Sequence, residues 1–202
     1  MATGRFIVLE GIDGAGKTTQ ARLLVRALRR RRRAVIYVRE PGGTDLGEKI
    51  RRLLLDHRSR MTVGTELYLY MAARAQLVAE RIRPALRRGR TVVCDRFLYS
   101  SAAYQGEAGG VGVGDVLELG RWAVDGVAPD RVIILDLDPL EGRRRKRGRR
   151  ADRIESRGLA YQRAVRRGFL RVAKRLGRRA LVLDAAAPPD ELHRRILRGV
   201  LS

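Results

Sequence analysis

Cysteine, lysine and aromatic residues are all scarce in this chain of 202 residues, and long apolar runs are missing. The single cysteine, Cys94, cannot form a disulfide within the chain, which favours a reducing compartment. No apolar run approaches the roughly 18 residues that a membrane helix needs. Residues 1–5 lead into a strand-like run without the apolar segment of a signal peptide. We therefore expect a cytoplasmic protein with no membrane partner.

Lysine supplies only four of the 44 basic residues, so arginine carries almost all of the formal net charge of +22. A charge of this size is typical of proteins that bind nucleic acid or another polyanion. The arginines are spread along the whole chain, however, and alanine, glycine and valine are abundant too. This pattern favours biased codon usage, with arginine on solvated faces. We do not expect a nucleic-acid partner, although the positive field would favour a nucleotide substrate.

Short apolar runs alternate with helical patterns along the chain. The runs predict strands at 6–9, 34–38, 91–94, 132–135 and 180–183. Helical periodicity predicts helices at about 17–31, 48–55, 65–88, 161–176 and 190–201. Strands that are apolar on both faces indicate a parallel sheet covered by helices on both sides. The sequence thus predicts an α/β fold with a five-stranded parallel sheet in a single domain, 1–202.

Polar residues follow four of the predicted strands. A glycine-rich segment, 11–18, follows the first strand, and Glu40 lies just after the second. Asp95 follows the third strand, and Asp136 and Asp138 follow the fourth. Ligands in parallel sheets bind outside the carboxyl ends of the strands. We therefore expect these four segments to line one binding edge.

The segment after the first strand matches the phosphate-binding pattern G-x-x-x-x-G-K-[ST] at every fixed position. It comprises Gly11, Ile12, Asp13, Gly14, Ala15, Gly16, Lys17 and Thr18. Its backbone N–H groups and the following helix N-terminus would face the phosphates of ATP. Lys17 would reach the β- and γ-phosphates, and the Thr18 hydroxyl would ligate Mg²⁺. The loop alone leaves kinases, nucleic-acid-driven ATPases and GTPases open, but the small size and the missing N-K-x-D signature favour a nucleotide or small-molecule kinase.

Several further motifs, in order along nearly the whole chain, resemble those of the thymidylate kinase family. They are F-I-V-L-E-G-I-D-G-A-G-K-T-T-Q at 6–20, R-E-P-G-G-T at 39–44, the segment 47–55, A-A-R at 72–74, D-R-F-L-Y-S-S-A-A-Y-Q-G at 95–106 and D-R-I-E at 152–155. The resemblance implies the three-layer P-loop NTP hydrolase fold, Mg²⁺-dependent transfer from ATP to dTMP, and a homodimer. Another nucleoside-monophosphate kinase is the alternative, followed by a nucleic-acid-binding P-loop ATPase.

The resemblance also implies roles for individual residues near the phosphates. Asp13 would accept a hydrogen bond from the 3′-hydroxyl of dTMP, and Arg51 and Arg96 would clamp the acceptor phosphate. A planar guanidinium suits this task because it binds phosphate through two parallel hydrogen bonds. The predicted Mg²⁺ set is Thr18, Glu40 and Asp95, with Glu40 also near the acceptor.

The resemblance places a second group of residues around the nucleoside. Arg74 would contact a thymine carbonyl, and Tyr104 would pack where a ribose 2′-hydroxyl would lie. Ser100, Ser101 and Gln105 would line the base pocket. Tyr70 stands where the family usually has a stacking phenylalanine, with Tyr68 as an alternative.

The family supplies the arginine that stabilises the transferring phosphoryl group either from the P-loop or from a mobile lid. Gly14 occupies the P-loop position, so the resemblance implies the lid-arginine subtype, with a lid at about 143–155. Seven of the eight residues 143–150 are basic, and Arg149, Arg150 and Arg153 lie nearest the D-R-I-E motif. The predicted catalytic residues are therefore Lys17, Arg96, Asp13, Arg149, Arg150 and Arg153.

Overall fold

The fold is built on one parallel sheet. The structure, a computed structural model, describes residues 4–148 and 152–201. Its strands are β1 (Phe6–Gly11), β2 (Val35–Arg39), β3 (Thr91–Asp95), β4 (Arg131–Asp136) and β5 (Ala180–Asp184). They lie in the order β2-β3-β1-β4-β5, and every neighbouring pair is parallel. Strands β1 and β3 are buried along their whole length, as continuous apolar runs predict. The predicted five-stranded parallel sheet is confirmed.

Helices connect the strands and flank the sheet. They are α1 (Lys17–Arg30), α2 (Asp45–Leu55), α3 (Val63–Leu77), α4 (Arg83–Arg87), α5 (Leu98–Ser101), α6 (Val113–Val124), α7 (Pro139–Arg145), α8 (Leu159–Leu176) and α9 (Pro189–Leu201). Helix α1 packs against α9 and against β1, β2 and β3, while α8 packs against β1, β4 and β5. Among the residues described, no helix is long and apolar enough to cross a bilayer.

The predicted helix at 65–88 is wrong as a single α-helix. Helix α3 passes into a π-helical turn, Val78–Ile82, before α4 begins. There the Arg83 N–H donates to the Val78 carbonyl, five residues back. Pro84 has no N–H to continue the α-helical ladder, which explains the change of register at this point.

Helix α2 begins three residues earlier than the predicted 48–55, at Asp45. The side chain of Thr44 caps it by accepting a hydrogen bond from the Gly47 N–H at 3.0 Å. A threonine that fills this position satisfies one of the free donors of the first turn. The threonine of R-E-P-G-G-T therefore fixes where α2 begins.

The chain becomes helical at Leu98, shortly after β3 ends, although the sequence patterns did not predict a helix there. Helix α5 continues into a second π-helical segment, Ala102–Glu107. Helix α8 crosses this segment at Gly168, where a Cβ atom would lie 2.8 Å from the Ala103 Cα atom. Helix α6 likewise approaches α5 at Gly120, where a Cβ atom would meet the Leu98 side chain at 2.2 Å. These close contacts hold the D-R-F-L-Y-S-S-A-A-Y-Q-G motif in place beside the sheet edge.

Candidate active site

The phosphate-binding loop runs from the end of β1 to the start of α1. Gly11, Gly14 and Gly16 have φ angles of 141°, 82° and 86°, which residues with a side chain rarely adopt. A Cβ atom at Gly14 would lie only 2.4 Å from the Gly142 carbonyl oxygen in α7. Backbone therefore occupies the space that a side chain at Gly14 would need, which agrees with the expectation that the P-loop supplies no arginine.

Lys17 is a buried cation whose one described hydrogen bond goes to the protein backbone. Its Nζ atom donates to the Ile12 carbonyl oxygen at 2.7 Å, and the residue is 6% exposed. Burial, with a contribution from Arg96, lowers the pKa of Lys17 to about 8. The side chain is thus still mainly protonated near neutral pH and available to a phosphate group.

Asp13, Arg96 and Tyr104 form a compact polar cluster beside this loop. The Arg96 Nη2 atom donates to Asp13 Oδ1 at 2.5 Å, and the Tyr104 hydroxyl donates to Asp13 Oδ2 at 3.0 Å. The Arg96 guanidinium lies 5.3 Å from the Tyr104 ring centroid. Burial would raise the pKa of Asp13, but Arg96 and Lys17 outweigh that effect and lower it to about 2. Asp13 is therefore a carboxylate that holds the Arg96 guanidinium beside the loop.

Arg96 has an unusual backbone conformation for a residue with a side chain, with φ at 70°. Its N–H donates to the Leu9 carbonyl oxygen, and its Nη1 atom donates to the Gly11 carbonyl oxygen, both at 2.9 Å. Residues held in this region cost free energy and concentrate at functional sites. The two bonds to β1 bring the guanidinium next to the phosphate-binding loop.

Glu10, which the sequence analysis did not single out, supports the same segment from the end of β1. It is fully buried and accepts hydrogen bonds from the Phe97 N–H at 2.8 Å, the Ser100 N–H at 3.1 Å and the Ser100 hydroxyl at 2.6 Å. Burial raises the pKa of Glu10 to about 7. A charged residue at the end of an otherwise apolar strand was the available sequence signal.

Thr18, in the first turn of α1, meets Asp95 at the carboxyl end of β3. The Thr18 hydroxyl donates to Asp95 Oδ2 at 2.5 Å. Glu40 is buried, and its Oε1 atom has no hydrogen-bond partner among the described residues. These are hard oxygen donors, which Mg²⁺ prefers. The described residues contain no cluster of three or more His, Cys, Asp or Glu that could hold a metal; a Mg²⁺ ion that also binds phosphates needs only one or two carboxylates.

Arg74 lies at the other end of the cleft, where it is 1% exposed. Its Nη2 atom lies 2.7 Å from Glu40 Oε2 and donates to the Ser101 hydroxyl at 3.1 Å. The guanidinium is 5.6 Å from the Phe97 ring centroid. Burial raises the pKa of Glu40, while the nearby Arg74 opposes that rise. Arg74 therefore bridges the predicted Mg²⁺ residues and the predicted base pocket.

One cavity of about 710 Å³ brings most of the predicted residues together. Those that line it are Asp13, Gly14, Gly16, Lys17, Thr18, Glu40, Arg51, Tyr70, Arg74, Asp95, Arg96, Ser100, Ser101, Tyr104 and Gln105. Arg51 also donates to the Pro41 carbonyl oxygen at 2.8 Å. Of the two candidate stacking residues, Tyr70 lines the cavity, whereas Tyr68 is 65% exposed on another face of α3.

The structure describes one of the three predicted lid arginines, Arg153. Arg149 and Arg150 lie outside the described residues. Arg153 points away from the P-loop: its Nη2 atom lies 2.5 Å from Glu66 Oε2, and its Nε atom donates to the Leu54 carbonyl oxygen at 2.8 Å. Glu66 is a second residue that the sequence analysis missed.

Known proteins are similar to this chain over almost its full length. The thymidylate kinase family model matches residues 9–196. Thymidylate kinase of Pelotomaculum thermopropionicum is 47% identical, with 97% of this chain and 92% of that protein covered. Thymidylate kinase of Deinococcus radiodurans is 46% identical, with 99% and 98% covered. The crystal structure of thymidylate kinase from Ehrlichia chaffeensis is 31% identical, with a TM-score of 0.81 and 99% of both chains covered. The chain therefore has the predicted P-loop NTP hydrolase fold and belongs to the thymidylate kinase family.

Proposed function

We propose that this chain is a cytoplasmic, Mg²⁺-dependent enzyme that transfers the γ-phosphoryl group of ATP to dTMP, giving dTDP and ADP. The observation that carries the proposal is a single cavity with a phosphate-binding loop at one end and a buried polar pocket at the other. Family membership supports dTMP as the acceptor. The buried, unpaired Cys94 suits a reducing compartment.

Three cationic residues bind the phosphates of the donor and of the acceptor in this proposal. Lys17 binds the β- and γ-phosphates of ATP, while Arg96 and Arg51 bind the phosphate of dTMP. Phosphoryl transfer depends mainly on positioning and on neutralising charge. Asp13 already holds the Arg96 guanidinium at 2.5 Å, so little reorganisation is needed when dTMP binds. Asp13 also accepts from the sugar 3′-hydroxyl, and Tyr104 packs against the deoxyribose.

Mg²⁺ is the metal that suits the oxygen donors between the phosphate-binding loop and Arg74. Thr18, Asp95 and the Oε1 atom of Glu40, which no described residue hydrogen-bonds, would hold it. When bound, the ion supplies neutralisation of the charge on the ATP phosphates. Asp95 ends β3, Glu40 directly follows β2, and Thr18 lies beside Lys17 in the first turn of α1.

The lid, at about 143–155, supplies the arginine that stabilises the transferring group. We expect Arg149→Ala and Arg150→Ala to lower kcat more than they raise the KM for dTMP, because this interaction strengthens only in the transition state. Arg144→Ala is the matched control, since Arg144 pairs with Glu141 on the exposed face of α7. A rise in KM at unchanged kcat would show that these arginines only attract substrate. Arg153 would have to leave Glu66 before it could take this role.

A homodimer is also part of the proposal. Helix α3 also carries apolar residues on its exposed side, where a stripe includes Tyr68, Ala72 and Ala75. The adjoining helices α2 and α6 expose Leu53 and Trp122, at 54% and 87%. Apolar patches of this kind mark interaction surfaces. Sedimentation equilibrium should give twice the chain mass, and Trp122→Glu should shift the protein toward the monomer.

The acceptor specificity provides the test of function. In a coupled assay of ADP release, we expect dTMP to give a higher kcat/KM than dUMP, dCMP, dAMP or dGMP. A different best acceptor would contradict the proposal and favour another nucleoside-monophosphate kinase. ATP hydrolysis that DNA or RNA stimulates, without transfer to dTMP, would instead identify a nucleic-acid-dependent ATPase.

A further inference from the structure

Glu66, on α3, is a buried carboxylate with three charged or polar partners. Its side chain is 0% exposed. The Oε1 atom accepts a hydrogen bond from Gln105 Nε2 at 2.7 Å, and the Oε2 atom lies 2.5 Å from Nη2 of both Arg153 and Arg157. A carboxylate is costly to bury unless it is paired and fully hydrogen-bonded. These contacts therefore form a defined buried cluster.

The cluster fixes the orientation of the Gln105 amide. An ionised carboxylate can only accept hydrogen bonds, so the amide must turn its NH₂ group toward Glu66. Its Oε1 atom is then the free end, and it is buried without a hydrogen-bond partner in the part of the chain described. Gln105 is 1% exposed and lines the large cavity. A buried acceptor left unpaired is costly, so this oxygen favours a ligand that offers an N–H group.

Arg74 adds a hydrogen-bond donor to the same pocket. A donor together with an acceptor matches the O4 atom and the N3–H group of thymine. Uracil offers the same pair of groups. Cytosine reverses both, because it has an amino donor at N4 and an acceptor at N3.

We propose that Glu66 is a positioning residue that sets the specificity for the acceptor base by holding the Gln105 oxygen toward the cavity. Arg153 and Arg157 neutralise its charge and keep it in place. Arg153 belongs to the predicted lid and Arg157 follows it by two residues in the sequence, so one carboxylate joins the base pocket to the end of the lid. This inference rests on the proposed function, because it takes dTMP as the acceptor.

The test compares Glu66→Gln with the wild-type chain on dTMP, dUMP and dCMP. An amide at this position can donate as well as accept, so Gln105 is free to turn over. We expect the dTMP:dCMP ratio of kcat/KM to fall by about tenfold or more, since discrimination that rests on hydrogen-bond pattern is large. The dTMP:dUMP ratio should stay within about twofold, because both bases present the same groups to Gln105 and Arg74.

Two further variants keep the test decisive. Glu66→Asp retains the charge for both arginines but withdraws the carboxylate from Gln105, so it should lower the dTMP:dCMP ratio even if Glu66→Gln does not fold. Glu107→Gln is the matched control, since it breaks the 3.0 Å pair with Arg171 outside the cavity and should change neither ratio. Equal losses on all three acceptors would overturn the specificity role of Glu66. A wild-type chain that does not prefer dTMP over dCMP would instead contradict the proposed function.

Discussion

The two ends of the cavity are stabilised in different ways. At the phosphate end, which comprises the loop 11–18 with Asp95 and Arg96, backbone carbonyl oxygens of β1 accept hydrogen bonds from Arg96, and a single ion pair joins Arg96 to Asp13. Lys17 donates there to a backbone carbonyl oxygen. At the base end, which comprises Glu40, Glu66, Arg74, Gln105 and their partners, side chains from different helices and loops hold one another through buried ion pairs. Substitutions at the phosphate end should therefore impair turnover and spare the fold, whereas substitutions at the base end should also reduce stability.

The largest effect should come from Lys17→Ala. The substitution removes a buried cation whose described hydrogen bond is to the backbone, so the folded protein loses little. ATP loses the charge that balances its β- and γ-phosphates, and we expect kcat to fall by about 10³-fold or more, as for other phosphoryl-stabilising cations. Coupled ADP release measures the turnover, and thermal unfolding measures the stability.

The control for this prediction is Lys174→Ala, which removes an exposed lysine from α8 and should leave both measurements unchanged. Near-normal kcat in Lys17→Ala would remove Lys17 from the catalytic residues. A large fall in the unfolding temperature of Lys17→Ala would instead show that the phosphate end is also needed for folding.

The phosphate end could be predicted from sequence because its residues are close together along the chain. The loop 11–18 is one contiguous segment, and its position after an apolar strand followed from the pattern alone. The D-R motif at 95–96 could be placed in the same way, because it ends the apolar run of β3. The sequence did not predict that Glu10 accepts hydrogen bonds from Phe97 and Ser100. That contact depends on how β1 approaches the segment after β3.

The contacts at the base end could not be predicted as well from the sequence. Glu66 contacts Arg153 and Arg157 across 87 and 91 residues of sequence, and no local period predicts such a contact. The resemblance assigned Arg153 to the lid arginines, but its guanidinium lies against α3 in the structure. The signal that was present is that Glu66, Tyr70 and Arg74 recur at intervals of four, which places them on one side of a helix.

At the base end, Arg74→Met should reduce stability more than any phosphate-end substitution. It leaves Glu40 buried without the cation that lies 2.7 Å away. Removing one partner of a buried pair costs about 3–5 kcal/mol, which for a chain of this size corresponds to a fall of about 10 °C in the unfolding temperature. The measurement is calorimetric unfolding of both proteins without ligand.

The double variant Arg74→Met/Glu40→Gln tests the reason for that loss. It removes both charges, so it should recover much of the stability lost in the single variant. Unchanged stability in Arg74→Met would contradict the distinction between the two ends, because it would mean that the ion pair does not hold the base end together.

The smallest effect should be a pH dependence of stability that originates at Glu10. Glu10 differs from Glu66 because its hydrogen-bond donors are neutral groups, Phe97 and Ser100. Its pKa rises from 4.5 to about 7 on folding. Between these two pKa values the folded state binds more protons than the unfolded state. The stability that the protonated Glu10 contributes to the folded protein is therefore lost as the pH rises through 7.

Glu10→Gln isolates that contribution. Its amide oxygen can still accept from the two N–H groups, and its NH₂ group can donate to the Ser100 hydroxyl, as the protonated acid does. The free energy of unfolding of the variant, relative to that of the wild type, should therefore increase by about 2 kcal/mol between pH 5 and pH 8. Urea titrations at several pH values measure the difference. A constant difference across this range would mean that Glu10 is ionised at pH 5 in the folded protein, and that neutral donors stabilise a buried carboxylate here as well as the arginines do at Glu66.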